Sequence, residues 1–246
     1  MNSKVTVVGI IALVIGLAGG FLLANNLNRS TINALRSQLD SRGGNANTSG
    51  GGNDLGVSDD EIRAKIAEAD ANPQDLVFQK NLGRGIYRLA AMKKDVTLIE
   101  EGKRLLERAN TLDPKDVDVL VDLGNAEFDL AFFRKDPKIY LAARDAYQKA
   151  LAVKPDDADV ITDMALTYYL TEPPDLKQAA DQFQKAIKIN PKQERALQFL
   201  TSTFIRQSDF DSAKKVLDQL NAANPKNELI KELSSQIDNR TYSPIH

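Results

Sequence analysis

A short phrase that ends in proline recurs four times in the sequence, and this repeat restricts the fold more than any other feature. The phrases are ERANTLDPKD, QKALAVKPDD, QKAIKINPKQ and DQLNAANPKN, with prolines at Pro114, Pro155, Pro191 and Pro225, so the intervals are 41, 36 and 34 residues. A proline just past a lysine-rich turn ends one helix, and an acidic residue after it caps the next. Each phrase is therefore predicted to join two helices of a repeating array.

The region from residue 58 to 246 is predicted to be all-α. Its apolar residues fall at helical spacing, and no stretch alternates for long enough to predict a strand. Residues 58–71 are expected to form a single helix before the array, and residues 228–239 a helix that covers its last hairpin. The predicted architecture is a solenoid of about four helical hairpins with these flanking helices.

Two positions are predicted to begin the second helix of a hairpin. Asp136 followed by Pro137 has the pattern of a cap with proline at the first helical position, and Asp175 with Gln178 is close to a capping box. The first two repeats carry seven extra residues each, which equal about two helical turns. We therefore expect about one more turn on each helix of those two hairpins.

The pattern resembles the tetratricopeptide repeat family, whose unit of about 34 residues has large and small apolar residues at set positions. The matching residues are Leu197, Leu200, Phe204, Ala213, Leu217 and Pro225 in the fourth repeat; Ile161, Met164, Ala165, Tyr168, Ala179, Phe183, Ala186 and Pro191 in the third; Leu120, Leu123, Gly124, Ala143, Tyr147, Ala150 and Pro155 in the second; and Leu82, Gly83, Ile86, Gly102, Leu106, Ala109 and Pro114 in the first. The absence of Trp and the presence of Glu127 where the family has Tyr are departures.

The N-terminal region, residues 1–26, is predicted to be a transmembrane anchor. Residues 5–24 hold no charge and are long enough, as a helix, to span a hydrocarbon layer of about 30 Å. A cleaved signal peptide is the alternative, but the apolar stretch exceeds the usual length of about 7–15 residues and no A-x-A site comes after it. Four small residues recur at intervals of four, a pattern that favours close packing of two such helices and hence a homodimer. They are Ala12, Gly16, Gly20 and Ala24.

Residues 27–57 are predicted to be a juxtamembrane segment and a flexible linker, because residues 41–56 are rich in Gly, Ser and Asn. The layout of a short tail before the apolar stretch favours export of the C-terminal part of the chain. Charge counting slightly favours the opposite orientation, with Lys4 on one side and Arg29, Arg36 and Arg42 on the other. We expect a bacterial inner-membrane protein with a periplasmic repeat domain.

Composition argues against catalysis. The 246 residues include no Cys, and the one His is His246, so thiolate chemistry is absent and sites built on His are disfavoured. A net charge of −2 disfavours nucleic acid as a partner. The acidic residues Asp116, Asp118, Asp156, Asp157 and Asp159 follow repeat prolines, where helix capping explains them better than metal binding. No enzyme activity, cofactor or metal site is predicted.

The resemblance implies that the first helices of the hairpins line a concave groove that binds a partner polypeptide. The family's groove positions fall on Lys80, Arg84, Tyr87 and Arg88 in the first repeat; Asp118, Asp122, Asn125 and Asp129 in the second; Asp159, Thr162 and Tyr169 in the third; and Arg195, Gln198 and Arg206 in the fourth. This groove would be basic, then acidic, then mildly basic, and would suit a client of mixed charge.

Proteins with a similar layout serve in periplasmic protein maturation, such as cytochrome c assembly, or in export. Two alternatives are left open by the sequence: a structural protein that assembles with itself, and an organellar import receptor with a cytosolic repeat domain.

Overall fold

The computed structural model describes residues 58–245. Within this range the regular structure is helical, without a strand, and the helices belong to two compact units that divide between Pro114 and Lys115. The predicted all-α class is confirmed for this part of the chain. The predicted anchor (1–26), its strip Ala12, Gly16, Gly20 and Ala24, and the linker (27–57) lie outside the described residues.

The described part of unit 1, from residue 58 onward, contains three helices: α1 (Asp59–Ala71), α2 (Leu76–Lys93) and α3 (Val96–Leu112). The helix predicted for residues 58–71 is confirmed as α1. Ser58 caps it in a capping box with Glu61, each side chain bonding to the other residue's backbone N–H. α2 and α3 form a hairpin, and the apolar side of α1 joins its core through Ile62.

A glycine lets the two helices of this hairpin approach closely. A Cβ atom on Gly102 of α3 would lie 2.7 Å from the backbone nitrogen of Tyr87 on α2, well inside van der Waals contact. Only a residue without a side chain fits there. Gly102 therefore serves the packing of this hairpin.

Unit 2 contains seven described helices, which form three hairpins and a final helix. They are α4 (Val117–Arg134) with α5 (Tyr140–Val153), α6 (Ala158–Leu170) with α7 (Leu176–Ile189), α8 (Glu194–Arg206) with α9 (Phe210–Ala223), and α10 (Ile230–Asn239). The helix predicted near residues 228–239 is confirmed as α10. Its Leu233 and Ile237 are buried against the preceding hairpin, as expected of a covering helix.

The extra residues of the first two repeats lengthen three of their four helices. In unit 1, α2 and α3 have 18 and 17 residues, against 13 and 14 in α6 and α7. In unit 2, α4 has 18 residues but α5 has only 14. The prediction of a longer second helix is therefore wrong for the second repeat.

The predicted start of α5 is also wrong. Asp136 does not cap a helix that begins at Pro137; its carboxylate accepts a hydrogen bond from the Lys138 backbone N–H at 3.0 Å, within a tight turn. α5 begins at Tyr140, without a side-chain cap. The local turn competes with the cap for the same carboxylate. Asp175, in contrast, caps α7 by accepting from Gln178 N–H, as predicted.

The first helices of unit 2 lie side by side. α4 contacts α6, α6 contacts α8, and α8 contacts α10, whereas the second helices α5, α7 and α9 pack mainly against first helices. Because the first helices approach one another more closely, they form the inner side of the stack. We call the exposed side of α4, α6, α8 and α10 the first-helix face.

Among the helices of residues 58–245, none combines the length and the hydrophobicity needed to span a membrane.

Candidate functional site

The repeat joints determine which polar side chains reach the first-helix face. Asp116 caps α4 by accepting from Val119 N–H at 3.2 Å, and Asp157 caps α6 by accepting from Val160 N–H at the same distance. The structural role predicted for these two acids is confirmed. Asp118 and Asp159 come two residues later, in the first turn of each helix, and both are accessible at the surface.

A polar network joins α6 to α8 on this face. Arg195 of α8 pairs with Asp163 of α6, and the Gln193 side chain donates to the Asp159 carboxylate. The Asp163 side chain is 13% exposed, and this burial raises its pKa above the usual value, although the charge of Arg195 opposes the shift. The network fixes the positions of Asp159 and Arg195 relative to each other.

On α4, the side chain of Asn125 is oriented by a hydrogen bond from α5. Its Oδ1 accepts a hydrogen bond of 2.8 Å from the Tyr147 hydroxyl on α5. The Tyr147 ring is buried, and the desolvation raises the pKa of its phenol well above 10, so the hydroxyl stays a donor. This bond orients the Asn125 amide and leaves its Nδ2 as a donor for a peptide carbonyl.

The far end of the face is covered by the segment after α10. The Tyr242 hydroxyl lies 3.1 Å from the Tyr169 hydroxyl of α6, which in turn lies 2.8 Å from Ser202 Oγ of α8. The Arg206 guanidinium lies 5.4 Å from the ring centroids of both Tyr169 and Tyr242. This end of the face is a pair of aromatic rings with one cation against both.

Four residues predicted to line the groove are buried, which corrects that prediction. Tyr87, Asp122, Thr162 and Tyr169 are each at most 6% exposed. The Thr162 hydroxyl donates to the Ala158 carbonyl of its own helix at 2.7 Å, and Tyr169 is covered by neighbouring side chains. Burial leaves little of these four side chains in contact with solvent, so they offer a partner less surface than predicted.

The other predicted positions are accessible to different extents. Asp118 and Asp159 are exposed, and the half-buried positions on the first-helix face are Asn125, Asp129, Arg195, Gln198 and Arg206. Gln198 donates to Asn227 at 3.1 Å. In unit 1, Lys80, Arg84 and Arg88 are half-buried along α2. The stripe of charge through both units stays a prediction.

Three residues of the site were missed by the sequence analysis. Asp163, Gln193 and Tyr242 all contact predicted groove residues, yet none was selected. Asp163 could have been found, because it comes four residues after Asp159 and therefore shares its helix face. Nothing in the repeat pattern points to Tyr242, which lies after the last helix. In the described part of the chain, acidic residues form no cluster with the composition of a metal site.

Comparison with known proteins gives one family match and several similar structures. Residues 174–237 match the model of a tetratricopeptide repeat. A crystal structure of MamA is 23% identical, with a TM-score of 0.55 over 68% of this chain and 88% of that one. A second MamA structure is 21% identical, with a TM-score of 0.53 over 76% and 87% of the two chains.

A third structure, YrrB, is described as a TPR protein with an unusual peptide-binding site. It is 16% identical, with a TM-score of 0.56 over 72% of this chain and 84% of that chain. At these identities the structures show a shared fold. No curated protein matches the sequence. The family match runs from the turn before α7 into α10, so residues 174–237 have the sequence of a tetratricopeptide repeat, and the neighbouring hairpins share the fold of these structures.

Proposed function

We propose that this protein is a membrane-tethered scaffold whose first-helix face binds an extended segment of a partner polypeptide. The observation that carries the proposal is that the first-helix face presents the accessible Asp118 and Asp159 together with the oriented amide of Asn125. Carboxylates attract a basic segment, and an amide donor can bond its backbone. YrrB, which shares the fold, is described as having a peptide-binding site.

The tether is the second part of the proposal. The charge-free stretch of residues 5–24 would anchor the chain, and the Gly-rich linker would let the repeat domain reach clients near the membrane. A client in protein maturation or export, such as cytochrome c assembly, suits a periplasmic orientation. The composition, with no Cys and one His, supports a binding role over an enzymatic one.

The test compares the amount of client protein recovered with two variants, each of which has two charged side chains replaced by neutral ones. Asp118→Asn/Asp159→Asn removes charge from the first-helix face while leaving an acceptor for Gln193, and Lys149→Gln/Lys185→Gln removes two exposed charges from the second helices. Recovery of the client by the first variant should fall about tenfold at low salt, whereas the second should keep it. Equal recovery with both variants would reject the first-helix face as the binding surface.

A third variant tests the amide separately from charge. Asn125→Ala/Tyr147→Phe removes the Nδ2 donor without adding a charge and without leaving the buried Tyr147 hydroxyl unpaired, and Tyr147→Phe alone is its reference. We expect client binding to weaken and the loss to persist at high salt, where a purely electrostatic effect would be screened. A loss that disappears at high salt would exclude the backbone hydrogen bond.

A further inference from the structure

The segment after α10 is folded back onto the body of unit 2. Arg240 adopts a left-handed conformation with φ of 51°, and its backbone N–H donates to the Ile237 carbonyl at 3.1 Å. The next residue, Thr241, donates to the Gln236 carbonyl at 3.0 Å. These bonds form a helix-ending turn that reverses the direction of the chain.

Residues 241–245 lack regular secondary structure, but they are held at three points. The Ser243 backbone N–H donates to the side-chain oxygen of the buried Gln236 at 3.0 Å. The Tyr242 hydroxyl reaches Tyr169, and Ile245 is 8% exposed and belongs to the hydrophobic core of unit 2. One backbone bond and two side-chain anchors three residues apart resemble the way in which a groove holds an extended peptide.

The surface that residues 241–245 cover offers specific bonding partners to a tyrosine side chain. The Tyr169 hydroxyl lies between Ser202 Oγ and the incoming Tyr242 hydroxyl, at 2.8 and 3.1 Å. Arg206 is fixed by a bond of 3.2 Å from its Nη1 to the Tyr169 carbonyl, which places its guanidinium against the Tyr242 ring. A phenol therefore meets both a hydrogen-bonding partner and a cation–π partner.

This surface belongs to the first-helix face. Tyr169 is on α6 and Arg206 is on α8, the same two helices that carry Asp159 and Arg195. A partner segment that runs along the face therefore meets residues 241–245 at its far end. The segment is attached through a short turn, so its effective concentration at the surface is on the order of millimolar or higher.

We propose that residues 241–245 are a resident ligand of the first-helix face, which a partner displaces with an extended segment that carries a tyrosine and, three residues later, an aliphatic residue. The inference rests on the proposed function and adds the chemistry of the partner and a means of regulation. Because the resident segment competes, the face is only fractionally available, and the apparent affinity of a partner is lowered by that fraction.

The first experiment uses the full chain in detergent and a fluorescent peptide with the sequence of residues 240–246, RTYSPIH. In the variant Tyr242→Ala/Ile245→Ala the resident segment loses both anchors, so the peptide should bind at least about tenfold more tightly than to the parent chain. A peptide with Ala in place of Tyr should not bind, and adding Arg206→Ala to the variant should remove binding. Equal affinity for parent and variant, or indifference to the tyrosine, would overturn the inference.

A second measurement avoids the risk that Ile245→Ala disturbs the core. The sequence contains no Trp, so Tyr242→Trp introduces a single indole at the anchor position. Acrylamide should quench it less than it quenches the same residue in a free peptide, and an excess of RTYSPIH should raise the quenching about twofold or more. Quenching at the level of the free peptide before any addition would show that the segment does not rest on the face.

The two proposals can fail separately. If client recovery depends on Asp118 and Asp159 but Arg206→Ala leaves the affinity for the peptide unchanged, the proposed function stands and the resident ligand is rejected. The opposite result is that peptide affinity depends on Tyr242 and Arg206 while client recovery does not depend on the two acids. The resident ligand is then supported, and the proposed binding role of the acidic end is rejected.

Discussion

The ring of Tyr147 on α5 lies directly against Gly124 on α4. A Cβ atom at position 124 would fall 2.4 Å from Cε1 of the ring, a distance that no side chain can keep. The same tyrosine donates to Asn125, so the close approach of two helices and the orientation of a surface amide depend on one contact. Packing inside the hairpin and the chemistry of the first-helix face are linked at this point.

Gly124→Ala should therefore destabilise unit 2 and disturb its surface together. The added methyl group must displace the Tyr147 ring, and overpacking of this kind costs about 1–3 kcal/mol of unfolding free energy. We expect this loss in urea denaturation, with a further loss of client binding because Asn125 is no longer oriented.

Two further variants separate these effects. Tyr147→Phe removes only the hydroxyl and should cost about 1 kcal/mol. In Gly124→Ala/Tyr147→Leu the smaller side chain at position 147 relieves the clash. The loss of stability in this double variant should therefore be smaller than the summed losses of Gly124→Ala and Tyr147→Leu measured singly. Additive losses would mean that Gly124 does not act through the Tyr147 ring.

Removal of Arg195 should make stability depend on pH. The Asp163 side chain is 13% exposed and that of Arg195 is 36% exposed, so the carboxylate is the more buried partner. Arg195→Met leaves it unpaired, and we expect a loss of about 2 kcal/mol at pH 7. An acid whose pKa is raised in the folded state binds its proton more tightly there, so protonation favours folding. The loss should shrink as the pH falls from 7 towards the ordinary pKa of an aspartate, about 4.

Asp163→Asn is the matched comparison. It leaves Arg195 without its carboxylate, but the guanidinium can reach water, so the loss at pH 7 should be smaller than for Arg195→Met. The double variant Asp163→Asn/Arg195→Met should lose the pH dependence. Urea denaturation at several pH values measures the unfolding free energy of the two single variants and the double variant. If the loss of stability still depends on pH in the double variant, Asp163 is not its source.

In unit 1, Asp70 should hold α1 against α3 in a pH-dependent way. Its carboxylate accepts from Arg104 at 2.7 Å and from Arg108 at 2.5 Å, and these bonds lower its pKa. An acid with a lowered folded pKa stabilises the folded state above its ordinary pKa and loses that effect as the pH falls through the folded value. Because the Asp70 side chain is 43% exposed, the effect should stay below about 1 kcal/mol.

Hydrogen exchange of the α1 amides can detect this effect. Asp70→Asn should speed exchange near neutral pH and remove the additional opening that the parent chain shows in acid. Glu68→Gln is the control, because its ion pair with Lys65 lies within α1 and does not reach α3. Similar exchange in both variants would show that the two arginines do not hold α1 through Asp70.

The full chain should fractionate with membranes and resist carbonate extraction. A charge at the centre of a spanning helix costs about 2.5–3.5 kcal/mol on insertion scales, so Val14→Arg/Leu17→Arg should release the protein. Recovery of a shorter, soluble product that begins near residue 25 would instead support the cleaved signal peptide.

The sequence predicted the hairpins where local signals and the repeat agree. Leu197 and Ala213 fit the 34-residue spacing and are both fully buried, and the caps at Asp116, Asp157 and Asp175 follow from local residues alone. These features depend on contacts within one hairpin. Periodicity and capping rules describe such contacts well.

The candidate site was harder to predict, because burial there depends on distant segments. Tyr169 occupies a groove position of the family, yet Arg206 and Tyr242, which are 37 and 73 residues away, cover it. The start of α5 was missed for a related reason: Asp136 had two local uses, a cap and a tight turn, and the pattern does not rank them. The sequence pattern identified the helix face but could not show which of its residues are covered.

The contact between Tyr169 and Tyr242 has a consequence for the folding of unit 2. Helices in a repeat array contact mainly their neighbours, so each hairpin can open with little effect on the others. A bond between residues 73 apart works against this independence, because α6, α8 and α10 must all be in place for it to form. The segment thus raises the cooperativity of unit 2, and a partner that displaces it would let the last hairpins fray separately.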